Sequence, residues 1–325
     1  MPINSKKPLA ISLMGPTASG KTDLALKLVD QFPLELISVD SSLVYHNMDI
    51  GSAKPEPHIL EKYPHRLINI RYADQPYSAS EFRDDALKAM QDIWQAGKTP
   101  LLVGGTMMYF KVLMEGIADM PEADSTIRAR LVDKALKEGW PAVHDDLKVI
   151  DPSAAERIHP NDSQRLQRAL EVYELTGKTL SELQSSSVWG GNREQDFTML
   201  QMSLMTENRG LLHRRIEQRF KQMLDQGLVD EVKALKAAFP GQQNLPAMRA
   251  VGYRQVWQYL DGEFDEKSLM QRGMAATRQL AKRQITWLRS WTDLHSFDIE
   301  SPDLYETISD QVSTYLSKGS LINAK

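Results

Sequence analysis

The segment Gly15-Pro-Thr-Ala-Ser-Gly20-Lys21-Thr22 fits G-x-x-x-x-G-K-S/T, and its surroundings constrain the fold more than any other stretch of this chain. An apolar run, Leu9 to Met14, precedes it and reads as a buried strand. A helical pattern over Thr22 to Gln31 follows. Strand, glycine-rich turn and helix N-terminus together make a cradle for an anion. The candidate phosphate-binding residues are therefore Gly15, Pro16, Thr17, Ala18, Ser19, Gly20, Lys21 and Thr22. The glycines let consecutive backbone N–H groups converge, the helix end adds partial positive charge, Lys21 brings a point charge and the Thr22 hydroxyl can ligate Mg2+. The motif reports a phosphorylated ligand and leaves its identity open among a nucleotide, free pyrophosphate and a prenyl diphosphate.

The alternation of apolar runs and helical patterns continues. Glu35 to Val39 and Pro100 to Val103 read as strands, with a helix over Ala79 to Gln95 between them, which is the pattern of a parallel α/β sheet. From 117 to 196 the chain turns into helical segments punctuated by Pro121, Gly139-Trp140-Pro141, Asp151-Pro152, His159-Pro160 and Gly177. This reads as a helical insertion with hinge-like borders near Pro121 and Gly190-Gly191. Leu200 to Met205 then returns as a strand, and helical patterns follow over Asn208 to Gln226, Leu228 to Ala238, Arg254 to Asp261, Glu266 to Trp291 and beyond Ser301. The expected organisation is a P-loop NTPase-like α/β core begun by residues 1–116, a helical insertion domain at 117–196, and a return to the core with basic C-terminal helices at 197–325.

Composition removes several classes of function. With 42% hydrophobic and 25% charged residues the chain has enough apolar material for a packed core. It contains no cysteine, which excludes disulfide scaffolds, thiolate metal sites and cysteine nucleophiles and points to a reducing compartment, the cytoplasm. The apolar stretch after Lys6 and Lys7 is too short for a secretory signal, and no run approaches a membrane span, so no membrane association is expected. The seven histidines have no metal-ligand spacing. Net charge is −4, yet Glu207 to Arg289 carries 15 basic residues against 9 acidic ones, and Lys267 to Thr292 holds six basic residues and no acid. That is the footprint of a polyanion partner.

Asp40 falls where the second strand ends, and Gly104-Gly105-Thr106 follows the next one, so both sit at the sheet edge where α/β proteins place ligands. Each also has a plain reading, an Asx-turn for Asp40 and a tight turn for the glycines. Arg215 and Arg219, four apart, share one face of a predicted helix.

Several longer motifs carry a resemblance. They are Gly15 to Thr22, Asp40-Ser-Ser-Leu-Val-Tyr45, Met48-Asp-Ile-Gly-Ser-Ala-Lys-Pro55, Tyr77-Ser-Ala-Ser80, Val103-Gly-Gly-Thr106, Gln164-Arg-Leu-Gln-Arg168, Arg215-Ile-Glu-Gln-Arg219, Gly252-Tyr-Arg-Gln255, and Thr277-Arg-Gln-Leu-Ala-Lys-Arg-Gln-Ile-Thr-Trp-Leu-Arg289. Over nearly its whole length the chain resembles the bacterial tRNA dimethylallyltransferases, also called tRNA isopentenyltransferases. Ser52 stands where Thr is expected and Asn69 where Asp is commoner.

The resemblance implies transfer of a dimethylallyl group from dimethylallyl diphosphate to the exocyclic amine of the adenosine 3′ of the anticodon, in tRNAs reading codons that begin with U. Diphosphate is released, Mg2+ assists, the partner is the tRNA anticodon stem-loop, and the protein is expected to act as a monomer. The amine is a poor nucleophile, so a carboxylate must take its proton. Asp40 is the candidate base and Thr106 the residue that orients the amine, while Lys21 and Arg215 hold the leaving group. The tRNA contacts implied are Asp40, Ser41, Ser42, Leu43 and Thr106, then Arg128, then Gln164, Arg165, Leu166, Gln167 and Arg168. They continue with Leu245, Pro246, Ala247, Met248, Arg249 and Ala250, and finish with Arg278, Gln279, Leu280, Ala281, Lys282, Arg283, Gln284 and Ile285. Two rivals share the P-loop. A nucleotide kinase needs arginine-bearing lid segments that are not recognisable here, and an NTP-switched RNA-binding module gives Asp40 and Thr106 no chemical role.

Overall fold

The structure, a computed structural model, describes residues 7–116, 120–186 and 196–320. The chain forms two compact units, Met1–Leu113 with Gln195–Lys325, and Met114–Glu194.

In the first unit β1 (Leu9–Met14), α1 (Lys21–Gln31), β2 (Leu34–Val39), α2 (Pro57–Lys62), β3 (His65–Arg66), α3 (Ala79–Gln95), β4 (Thr99–Gly104) and α4 (Met107–Glu115) follow one another. Six strands pair in the order β3-β2-β4-β1-β5-β6, all parallel, with β5 (Thr198–Met205) and β6 (His295–Asp298) entering later in the chain. This is a P-loop NTPase-like sheet. β1 lies between β4 and β5 with helices over both faces, which is why Ala10, Ile11, Leu13 and Met14 are fully buried and the run has no polar alternation. Leu13→Ala would cost about 2–5 kcal/mol. Because every strand is parallel, the loops after β1, β2 and β4 emerge at one edge, and the chain's passage from β1 over β4 to β2 opens a crevice there.

The sequence-based elements hold with small shifts in their ends: α3 has the expected bounds, sealed by a Ser78–Glu81 capping box, while β5 begins two residues early. Two strands were absent from the expectation. β3 is two residues long and β6 is mostly exposed, so neither edge strand has the apolar signature that marks a central one. After β5 come α10 (Arg209–Asp225), α11 (Leu228–Ala238), α12 (Tyr253–Leu260) and α13 (Glu266–Arg289), with α14 (Leu304–Ser320) after β6. Ile308 and Val312 of α14 join Leu24 and Leu28 of α1 in the core on one side of the sheet.

The second unit is helical throughout its described residues: α5 (Ser125–Glu138), α6 (Trp140–Ile150), α7 (Pro152–Arg157), α8 (Ser163–Thr176) and α9 (Leu180–Ser186). It encloses a core of its own, with Leu131, Val143, Leu147, Leu166 and Leu170 at the centre. Glu171 on α8 is fully buried there and accepts from Arg128 Nε at 2.7 Å, Arg168 Nη1 at 2.7 Å and the Asp124 N–H at 2.8 Å. Of the two expected borders, Gly190-Gly191 lies outside the described residues, while Pro121 is described and its carbonyl accepts from Arg168 Nη2 at 2.8 Å. Among the described residues no helix is long and apolar enough to cross a membrane.

Candidate active site

The P-loop emerges from β1 and runs straight into α1. Gly20 is the residue before the first helical position and has φ 89°, a left-handed conformation that favours glycine. Ala18 is also left-handed, with φ 64°, so strain is stored in the turn that cradles the anion. Lys21 folds back over the loop, donating to Pro16 O at 2.7 Å and Ser19 Oγ at 3.4 Å. Its pKa is lowered to about 7 by burial, then by repulsion from Arg219, with Asp40 opposing both. Arg219 is itself pulled down by burial, while Asp40 and Asp23 favour its charge. Two cations thus crowd the loop, their desolvation only partly offset by Asp40 and Asp23, and an anion bound there relieves both.

Asp40 and Thr106 come together because β2 and β4 are neighbours, with Val39 opposite Gly104. The Thr106 N–H donates to Val39 O at 3.2 Å, and Thr106 Oγ1 accepts the Ser41 N–H at 3.0 Å. Asp40 Oδ1 accepts the Ser42 N–H at 2.8 Å, so the Asx-turn is real, and it fixes the carboxylate at the mouth of the crevice. The turn and the site are two aspects of one arrangement.

A cavity of about 1070 Å3 opens beside the loop, walled by Ala18, Gly20 and Asp23, by Arg215 and Arg219 of α10, and by the segment Asp49 to Pro57. That segment is held from behind. Glu231 on α11 accepts the backbone N–H groups of Asp49, Ile50 and Gly51 and the Tyr253 hydroxyl. Lys54, with its side chain 4% exposed, donates to Tyr45 O, Asp49 Oδ1 and Asn69 Oδ1. Asn69 therefore supplies an oxygen acceptor, and the balancing charge at this point comes from Asp49.

The structure sorts the sequence-derived site residues by exposure. On α13, Gln279, Lys282, Arg283 and Arg289 are exposed, Arg278, Leu280 and Ile285 half-buried, and Ala281 and Gln284 buried. In the turn before α12, Pro246 and Arg249 are exposed and Leu245 and Ala250 half-buried, while Ala247 and Met248 are buried. On α8, Gln164 and Arg165 are exposed and Gln167 half-buried, while Leu166 belongs to the core. Leu166, Ala247, Met248, Ala281 and Gln284 are thus buried in the protein, their side chains turned into the packing and away from solvent. Arg128 and Arg168 reach solvent only in part, both tethered to Glu171. The expectation also paired Lys21 with Arg215. Both Arg215 and Arg219, one turn along, line the cavity, and Arg219 is the one whose charge acts on Lys21 and is favoured by Asp40. Sequence spacing placed both arginines on one face and had nothing to rank them. Glu231 carried no signal and Lys54 only as a member of the Met48 to Pro55 motif, because their roles rest on backbone groups and on the Tyr253 and Asn69 side chains that the fold brings near.

The family model for IPP transferase matches residues 43–291. The chain belongs to the IPP transferase family. This IPP transferase is 50% identical to tRNA dimethylallyltransferase 2 of Hahella chejuensis, over 96% of this chain and 97% of the relative. Among solved structures it is similar to the full-length tRNA isopentenylpyrophosphate transferase of Bacillus halodurans, at 32% identity, TM-score 0.70, and coverage of 98% of this chain and 100% of that one. It is also similar to a eukaryotic dimethylallyltransferase acting on tRNA, at 25% identity and TM-score 0.76, covering 98% of this chain and 80% of the other.

Proposed function

We propose that this IPP transferase moves a dimethylallyl group from dimethylallyl diphosphate to the exocyclic amine of the adenosine 3′ of the anticodon in tRNAs reading codons that begin with U, releasing diphosphate. The observation that carries the reading is the meeting, at one sheet edge, of a cation-rich anion cradle with a carboxylate and a hydroxyl on the two adjoining loops. The cradle suits a leaving group whose negative charge grows as the allylic C–O bond breaks, so its cations act most strongly in the transition state. Asp40 accepts the proton that the amine loses as the new C–N bond forms, and Thr106 holds that amine in line.

The Thr22 hydroxyl, exposed in the first turn of α1 beside the loop, gives the hard oxygen donor that Mg2+ takes together with phosphate oxygens. Mg2+ bound there would offset leaving-group charge. A target adenine stacked beside the anticodon must be flipped out, with contacts to neighbouring bases and phosphates meeting a cost of a few kcal/mol. Lys282, Arg283 and Arg289 on α13, Arg249 before α12, and Gln164 and Arg165 on α8 are exposed and suited to those contacts. One copy of the chain suffices, since cradle, base and Thr106 all belong to it, and with no cysteine to oxidise it suits the cytoplasm.

Incubation with labelled dimethylallyl diphosphate and unmodified tRNA tests the reading. Label should enter the tRNA at full rate without nucleotide. A requirement for ATP, or phosphoryl transfer in place of prenyl transfer, would overturn it.

A further inference from the structure

Gln284 sits on the charged helix α13 yet turns inward, 9% exposed. Its Oε1 accepts the Thr17 N–H of the P-loop at 2.8 Å, and its Nε2 donates to Gly105 O at 2.9 Å. The two bonds determine each other: only with the carbonyl facing an N–H and the amide facing a carbonyl are both satisfied. Residue 105 is part of the same fit. A Cβ on Gly105 would lie 2.4 Å from Gln284 Nε2, so the second glycine of Gly104-Gly105-Thr106 is the space this side chain needs.

The two anchors stand on opposite sides of the chemistry. Thr17 belongs to the loop after β1, which holds the leaving group in the reading above, and Gly105 immediately precedes Thr106, which orients the nucleophile. β1 and β4 are paired as far as Met14 opposite Gly104, and there the ladder ends. Beyond that pair the two loops have no sheet hydrogen bonds between them, and one side-chain amide continues the ladder by accepting from one loop and donating to the other. The helix is anchored beside this point, since Ala281 packs against Leu212 and Ile216 of α10.

We propose that Gln284 is a positioning residue that fixes the separation of the diphosphate cradle from Thr106, and that it makes no contact with RNA. The inference rests on the prenyl-transfer reading. A nucleophilic displacement is sensitive to this separation, because an error of about 1 Å in the placement of reacting groups can cost on the order of a hundredfold in rate.

The test is Gln284→Met, which keeps the length and loses both hydrogen bonds, assayed in the full chain. At saturating tRNA and donor, kcat should fall by about 10- to 100-fold. The Kd for an unmodified anticodon stem-loop should stay within about twofold, since this side chain does not touch RNA. A large rise in that Kd with kcat preserved would make Gln284 an RNA ligand, and no change in either would remove it from the site; both overturn the proposal. Gln284→Glu covers the case in which the methionine variant does not fold. Its carboxylate still accepts from Thr17 but repels Gly105 O, whereas its protonated form restores both bonds. Activity relative to wild type at the same pH should therefore be higher at pH 6 than at pH 8, and a flat ratio contradicts the proposal. Absence of prenyl transfer by the wild type would be a separate failure, that of the underlying reading.

Discussion

Two clusters of desolvated charge, one in each unit, have opposite balances. Around Glu171 a fully buried carboxylate meets two guanidinium groups and a backbone N–H. Burial pushes its pKa up, but the hydrogen bonds from Arg128 and Arg168 outweigh that and hold it below the usual value. Around the P-loop, Lys21 and Arg219 are half-buried cations, with Asp40 countering both and Asp23 only Arg219, and desolvation lowers the pKa of each. Desolvating charge is costly in either place. Where the partners are complete, the cluster builds structure; where they fall short, the deficit is met by a ligand, and that marks the functional site.

Substitutions should separate the two kinds of cluster. The largest effect is expected from Asp40→Asn, which keeps shape and most hydrogen bonding but removes proton acceptance, lowering kcat by about 10²- to 10⁴-fold with tRNA affinity within a few-fold. Single-turnover kinetics check it, and near wild-type turnover would remove Asp40 from the role of base. Lys21→Ala should lower kcat/KM by on the order of 10² or more, with part of the loss in kcat because leaving-group charge grows toward the transition state. Lys21→Ala should not destabilise the protein, since it removes one of two crowded cations, whereas Asp40→Asn withdraws the charge that counters both cations and should cost some stability.

Glu171→Gln should do the reverse. Breaking a buried pair costs about 3–5 kcal/mol, reduced here to about 1–3 kcal/mol because both arginines are partly exposed. Denaturant melts should show the loss while the wild-type rate per folded molecule persists. The same group predicts acid lability of the second unit. A depressed carboxylate contributes stability that is fully present above its unfolded pKa, near 4.5, and is lost as pH falls through the lower folded value. The smallest effect is expected on the RNA side: Lys282→Ala with Arg283→Ala should reduce the slope of log K against log salt by roughly 0.7 to 0.9 for each phosphate that is deprived of its cation.

How much of this was legible in the sequence follows from where each signal originates. Central strands such as β1 are buried on both faces and announce themselves as apolar runs, and the P-loop is a contiguous motif whose flanks confirm it. β3 and β6 exist through pairing more than composition, so they stayed hidden. Asp40 and Thr106 were legible as strand-end residues, because a parallel sheet sends its strand ends to one edge. The inward turn of Gln284 amid exposed basic neighbours was not, since helical phase alone does not say which face meets the core when a polar side chain is buried by specific hydrogen bonds. The ranking of Arg219 over Arg215 near Lys21 likewise depends on packing.

The central claim is that the cradle is short of negative charge and that a diphosphate completes it. Lys21 in the free protein titrates near pH 7, and a bound anion raises that value, so binding takes up a proton when the pH lies between the two. Affinity for pyrophosphate with Mg2+ should fall as pH rises through 7, by up to about tenfold per pH unit. Calorimetric titration of pyrophosphate with Mg2+ at pH 8, repeated in buffers of different ionisation heat, measures this directly. The account predicts uptake approaching one proton for the wild type and none for Lys21→Ala; binding with no proton uptake by the wild type would contradict it.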